Sequence, residues 1–438
     1  MNERDSEAVA ARFLAQGYTL AASEAVADVV LLNTCSVRDQ AEQKAIGKMS
    51  AVAAQVRKHR PGTVLGYLGC MAQSRGEQLL GQGVSLVLGT QKLHRAPEYV
   101  EALRAGHQTA VCEVGEETGS EAQIRDHVLA LSGQPPAATA YVSIMQGCNQ
   151  HCTFCIVPQT RGEERSRGIE DLVTEVGGLV NRGIREVTLL GQIVTSYGRR
   201  LISERDGLSP FVQLLEAVDA VDGLERIRFT SPHPKGYGDD LVEAYGRLPK
   251  LCANAHLPAQ SGSDRILKLM HRGYSRDRYL EIVAKLRAVR PAIGLGTDLI
   301  VGFPGETEED LQATMNLVRE VQFDNAYVFK YSPRRNTRAV DLPDQVAPEV
   351  IEERHARLLT LVNDIAAERS AAFVGQTVRV LVEGPSRKNP ARLEGRTACN
   401  RIVVFEGSPR HLGQLMDVRV VRASAFTLYG DPAIVNLD

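Results

Sequence analysis

Gly147-Cys148-Asn149-Gln150-His151-Cys152-Thr153-Phe154-Cys155 places three cysteines at the spacing C-x3-C-x2-C on one short loop. The apolar run before it, 141–145, reads as a strand, so the loop leaves a strand end. Three thiolates on one tight loop can hold three irons of a cubane cluster, whereas iron–sulfur sites ordinarily supply four. The last iron is then open, and an open metal position is where chemistry takes place. The competing readings are a zinc knuckle and three unrelated cysteines. Zinc sites pair C-x2-C halves with a further Cys or His at finger-like spacing, and His151, inside the loop, breaks that pattern. The spacing favours the cluster.

The chain around this loop has 438 residues, enough for two or three domains and a sizeable core. It contains no apolar run long enough to span a bilayer and no secretory signal, which reads as a cytoplasmic protein. Eight cysteines in such a chain argue for metal or redox chemistry and against a disulfide framework. The formal net charge is −2, so any nucleic-acid contact has to come from a local basic surface.

From the N-terminus, Asp5-Ser6 reads as the cap of a helix through Val9, Phe13 and Leu14 that Gly17 closes. Strands are expected at 29–32, 64–68 and 84–88, with a helix at 40–58. Alternating helices and buried strands predict a doubly wound parallel sheet. Such sheets usually open on a strand, and this one opens on a helix, which reads as a first strand missing from the chain. Cys35 and Cys70 each stand just past a strand end, the ligand-binding edge of an open parallel sheet. They read either as a shared metal centre or as two buried cysteines. Cys112, Cys252 and Cys399 have no such placement and read as structural.

Residues 116–139, with Ser132-Gly133-Gln134-Pro135-Pro136, read as an inter-domain linker. Strand-then-helix units resume from 140 to 372, with strands at 187–190, 227–229, 293–301 and 326–331. Thr307-x-x-Asp310 is a capping box, and Ile351, Leu358, Val362 and Ile365 mark an amphipathic helix. This is the pattern of a full or partial (β/α) barrel, whose strand C-termini form the active face. Gln192, Asp298, Gly302 and Gly305 lie at those strand ends and are candidates to bind a cofactor. The remainder, 373–438, has short alternating β runs and predicts a small all-β barrel. Between Pro385 and Arg401 it carries Arg387, Lys388, Arg392, Arg396 and Arg401 against Glu394, a pattern suited either to an RNA backbone or to a solvated hairpin face.

Together these pieces resemble the methylthiotransferase family of radical S-adenosylmethionine (SAM) enzymes over nearly the whole chain. The matching stretches include Asn33-Thr34-Cys35-Ser36-Val37-Arg38, Gly69-Cys70-Met71-Ala72-Gln73, Thr160-Arg161-Gly162, Ser231-Pro232-His233-Pro234, Gln260-Ser261-Gly262-Ser263 and Gly302-Phe303-Pro304-Gly305-Glu306-Thr307. The resemblance implies an N-terminal methylthiotransferase domain at 1–115, a radical SAM domain at 140–372 and a TRAM domain at 373–438. It implies a radical [4Fe–4S] cluster on Cys148, Cys152 and Cys155, with SAM on the open iron. It also implies an auxiliary [4Fe–4S] cluster with Cys35 and Cys70 among its ligands. The family motif carries a further cysteine that would precede Met1, so the natural start is expected upstream. The Asn-Thr-Cys-Ser-Val-Arg context is similar to the branch that modifies tRNA. In that branch a methylthio group goes to C2 of an isopentenylated adenosine at position 37, next to the anticodon, and a reductant such as flavodoxin or ferredoxin supplies electrons. Sister enzymes act on threonylcarbamoyladenosine or on an aspartate of a ribosomal protein. The reading from another class is a metal-containing RNA-binding protein without catalysis. The family pattern is altered at Ile193, Thr195, Ala259 and Asn336-Thr337-Arg338.

Overall fold

The structure is a computed structural model and describes residues 1–36, 39–123 and 137–432. Strands β1 (Val29–Asn33), β2 (Val64–Leu68), β3 (Val84–Leu88) and β4 (Val111–Glu113) form a parallel sheet in that order. Alternation splits each strand between two cores. Leu86 and Leu88 pack with Ala8, Val9 and Val100 on one face. Leu65, Tyr67 and Val87 pack with Met49 and Val52 on the other. Helices thus cover both faces, as expected of a doubly wound sheet. β4, which carries Cys112, was not expected, because three residues leave too short a pattern to see. The first helix is Asn2–Ala15 and begins ahead of the expected cap. Asp5 is 1% exposed and pairs with Arg161, so it serves an inter-domain contact in place of capping the helix. Val37 and Arg38 of the motif, and residues 124–136 of the expected linker, lie outside the described residues.

β5 (Thr139–Ser143) opens the second unit, and β6 (Met145–Gln146) and β7 (Arg165–Ser166) flank the cysteine loop as a short antiparallel pair. Next come β8 (Glu186–Leu190), β9 (Arg226–Phe229), β10 (Asn254–His256), β11 (Gly294–Val301) and β12 (Asn325–Lys330). β5-β8-β9 and β10-β11-β12 are parallel three-stranded sheets, linked by one bridge between Ile227 and Leu251. This is a partial barrel with an open seam between β5 and β12. Val187, Leu189, Leu299 and Val301 face the helices and are fully buried. By alternation Thr188, Arg228, His256, Asp298, Tyr327 and Phe329 line the lumen.

The capping box on the helix Glu308–Val321 is present. Burial alone would raise the Asp310 carboxyl, but hydrogen bonds from Arg265, Ser263 and Thr307 outweigh it and hold the pKa down to about 2. A depressed carboxyl stabilises the fold above its unfolded pKa of about 3.9 and loses that contribution as pH falls through the folded value. Asp310→Asn is expected to cost about 1–2 kcal/mol at neutral pH. The gap from wild type should close between about pH 4 and pH 2 in denaturant titrations; a gap constant across that window would refute the assignment.

The 24-residue helix Pro348–Ala371, about 36 Å long, runs the length of the barrel wall. Near its start Arg354 pairs with Glu306 at 2.9 Å beside the β11 turn, and near its end Arg369 pairs with Asp324 at 2.7 Å below β12. It delivers a closed barrel of β13 (Thr377–Pro385), β14 (Leu393–Thr397), β15 (Ile402–Phe405), β16 (Leu415–Ala423) and β17 (Thr427–Pro432), paired in the order β13-β14-β15-β17-β16. The tip between β14 and β15 closes the floor of the lumen. Arg226 donates to the carbonyls of Arg396 (2.6 Å) and Arg379 (3.1 Å), and Arg228 to those of Thr397 (2.7 Å) and Ala398 (3.2 Å). The basic segment expected as one loop is therefore partly strand, since Leu393–Thr397 is β14.

Candidate active site

The cysteine loop leaves β6 through Gly147, whose φ is +80° and whose Cβ would lie 1.8 Å from the Glu163 carbonyl oxygen. Only glycine tolerates both conditions. Cys148 N–H donates to Gly162 O at 3.1 Å, while Thr153 N–H and Oγ1 donate to Met270 O (3.2 Å) and Leu269 O (2.9 Å). The loop is thus pinned on both sides. Cys148 is buried and Cys152 and Cys155 are half-buried. Burial pushes the Cys148 thiol up to about 11, with Cys152 and Glu164 adding to it against the Gln150 N–H. Burial pushes Cys155 up to about 12; Cys152 and Cys148 raise it further, and the Val157 N–H opposes them. Arg272, 8% exposed, donates to Cys152 Sγ at 3.5 Å and brings a buried cation to the set.

This donor set fits an iron–sulfur cluster. A cluster deprotonates its thiols outright, and the Arg272 charge compensates the anionic assembly. Among the described residues no three His, Cys, Asp or Glu side chains converge in single-ion geometry. A cubane carries each thiolate on a separate iron, so its ligands stand further apart than the ligands of one ion.

Cys35 and Cys70 follow adjacent strands, and the backbone ties their loops together: Thr34 N–H donates to Leu68 O (3.2 Å) and Met71 N–H to Thr34 O (3.1 Å). This edge meets the cysteine-loop end of the barrel. Thr90 Oγ1 donates to Thr160 O at 2.8 Å and Arg165 to Gln91 Oε1 at 2.8 Å. Arg161, just past the cysteine loop, reaches across to Asn2 Oδ1 (3.0 Å) and Asp5 (3.1 Å). Burial alone would depress its pKa, but the Cys70 thiol and Asp5 beside it outweigh that and raise it. The sheet edge that carries Cys35 and Cys70 thus packs on the cysteine-loop end of the barrel, with the buried Arg161 side chain at the contact.

Gln192 sits at the β8 end, donates to Met1 Sδ at 2.8 Å, and has a buried Oε1 with no protein partner. His233 Nε2 is likewise buried without a protein partner. Such orphaned polar atoms at the mouth suit a polar ligand such as SAM. The Gly302 N–H donates to Glu306 at 2.9 Å, so Arg354 on the long helix fixes the Gly302–Gly305 turn through Glu306. Asp298 lies within β11, paired with His256 at 3.3 Å, which places it on the lumen wall below the rim expected for it. Arg387 and Lys388 are exposed, Arg392 pairs with Glu406 at 3.2 Å, and Arg396 lies 3.5 Å from Glu383. Arg401 departs from expectation. It is 7% exposed, ion-paired with Asp324 and bonded to Ser370 Oγ at 2.6 Å, so its guanidinium is not offered to a phosphate. Arg272 and the Arg226–Arg228 pair escaped the sequence reading, and Arg161 entered it only within a matching stretch, without a role, because lone cations carry no spacing signal.

A cysteine loop at the strand C-termini of an open parallel barrel defines the class: a radical SAM enzyme. The Radical SAM superfamily profile matches residues 142–318, the profile described as Uncharacterized protein family UPF0004 matches 1–89, and the TRAM domain profile matches 371–433. A tRNA-2-methylthio-N(6)-dimethylallyladenosine synthase from Opitutus terrae is 53% identical, covering 98% of this chain and 95% of the relative. One of the same name from Akkermansia muciniphila is 50% identical over 99% and 96%. The chain belongs to this family of radical SAM methylthiotransferases. Among solved structures, the radical SAM methyltransferase TsrM from Kitasatospora setae shares the fold at 13% identity, with a TM-score of 0.56 over 74% of this chain and 69% of that one.

Proposed function

We propose that this chain attaches a methylthio group to C2 of N6-isopentenyladenosine at position 37 of tRNA, beside the anticodon. The observation that supports the reading is the packing of the Cys35/Cys70 sheet edge on the cysteine-loop end of the barrel, tied by Thr90 to Thr160, Arg165 to Gln91 and Arg161 to Asp5. The names of the relatives point to the same substrate.

An adenine C2–H is not acidic enough for base catalysis. A [4Fe–4S] cluster, when bound, supplies the electron that splits SAM and so a carbon radical able to take that hydrogen atom. The residues of the chain provide the setting. Cys148, Cys152 and Cys155 would hold the radical cluster, and Arg272, 3.5 Å from Cys152, would compensate its charge. Gln192 and the turn at Gly302 and Gly305 contact SAM. Cys35 and Cys70 would supply ligands to an auxiliary [4Fe–4S] cluster, which would provide the sulfur, with a second SAM providing the methyl group. Arg387, Lys388, Arg392 and Arg396 engage tRNA phosphates. A flavodoxin- or ferredoxin-like reductant feeds electrons, and the reaction takes place in the cytoplasm. No helix among the described residues is long and apolar enough to cross a membrane.

The test is mass spectrometry of tRNA nucleosides from a bacterial strain that lacks its own methylthiotransferases and expresses this chain. The expected result is the appearance of the 2-methylthio derivative of isopentenyladenosine. Appearance of only the threonylcarbamoyl derivative would transfer the chain to the sister activity, and appearance of neither would refute tRNA methylthiolation.

A further inference from the structure

The lumen below the cysteine loop has a wall that the cluster chemistry does not use. Register puts His256 beside Gly296, and Asp298 beside Tyr327, on the lumen face of β10, β11 and β12. The imidazole lies flat across Gly296, where a Cβ would stand 2.9 Å from Nδ1, and pairs with Asp298 at 3.3 Å. Next to it Tyr327 and Phe329 are stacked, with centroids 6.4 Å apart and planes 22° apart, and the Tyr327 ring lies 6.1 Å from His256. Tyr327 is 51% exposed. Its strand, β12, borders the open seam of the barrel.

We propose that Tyr327 and Phe329 form the specificity wall for the N6 substituent of the substrate adenine, selecting an apolar branched-chain group. This rests on the function proposed above and names the residues that choose among its possible nucleosides. The argument is one of chemistry. Ring faces stack on a base and bury an apolar chain, but their negative quadrupole disfavours a carboxylate. Asp298 adds like charge beside them. The lumen guanidiniums that would pair with a carboxylate, Arg226 and Arg228, are already spent on carbonyls of the C-terminal barrel and, for Arg228, on Glu186 at 2.7 Å. A prenylated adenine therefore fits this wall, and an adenine carrying an amino-acid carboxylate does not.

The experiment compares binding of two anticodon stem-loop RNAs, one with isopentenyladenosine and one with plain adenosine at the target position, to the full chain with clusters reconstituted. Wild type is expected to prefer the prenylated RNA. Tyr327→Ala should shrink that preference about tenfold, as expected for exposing part of the apolar chain that the ring buries, with little change in affinity for the plain RNA. Tyr327→Phe should retain the preference, and Phe329→Ala should act in the same direction as Tyr327→Ala. An undiminished preference in Tyr327→Ala, or equal losses for both RNAs, would overturn the wall while leaving the proposed function standing. No preference in wild type would overturn both.

Discussion

Alanine at Cys148, Cys152 and Cys155 together abolishes SAM cleavage: 5′-deoxyadenosine formed under anaerobic reducing conditions falls by about 10³-fold or more, to background. The size of the effect follows from the donor set. These thiols share one loop, and Arg272 is spent on Cys152. Cleavage that persists in the triple variant would show that the loop is not the radical site. The iron content of the same protein tests the second thiol group. About four irons per chain remaining places a second cubane with Cys35 and Cys70. Iron near zero removes the auxiliary cluster, and with it sulfur insertion by this chain.

The parts of this molecule that were legible in the sequence are those encoded by spacing and period. The expected strands at 64–68 and 84–88 match β2 and β3 residue for residue, because short apolar runs bounded by glycine have only one way to bury both faces. Thr307 and Asp310 announced the capping box for the same reason: the contact is local. The three-cysteine loop was legible because its ligands are close in sequence. Contacts that cross the chain were not. Asp5 looked like a helix cap and is instead the buried partner of Arg161, far along the sequence. Arg401 looked like one more cation in a basic segment. Only the packing of β14 and β15 against the lumen floor buries it. The lumen wall was hidden as well, since His256, Asp298 and Tyr327 come from three strands that meet only in the folded barrel.

Arg401 leads to the other large effect, because it makes the junction between the barrels depend on one carboxylate. Asp324 accepts from Arg401, from Arg369 at 2.7 Å and from the Leu295 N–H at 2.8 Å, and both Arg401 and Asp324 are at most 10% exposed. Asp324→Ala leaves the Arg401 guanidinium buried with Ser370 and the Phe373 ring as its remaining contacts. Breaking a buried pair from one side costs about 3–5 kcal/mol, because the surviving charge has no counterion. The melting temperature should fall by about 4 °C, and hydrogen exchange should accelerate across Ile402–Phe405 and the end of the helix Pro348–Ala371. Removing both charges separates pairing from packing: Asp324→Ala with Arg401→Met should recover most of the loss, since a matched apolar replacement avoids the desolvation cost. A loosened C-terminal barrel raises KM for tRNA, while the cysteine loop, at the other end of the barrel wall, keeps its cluster. An Asp324→Ala protein that melts and exchanges like wild type would show that the Arg226 and Arg228 contacts hold the junction without this pair.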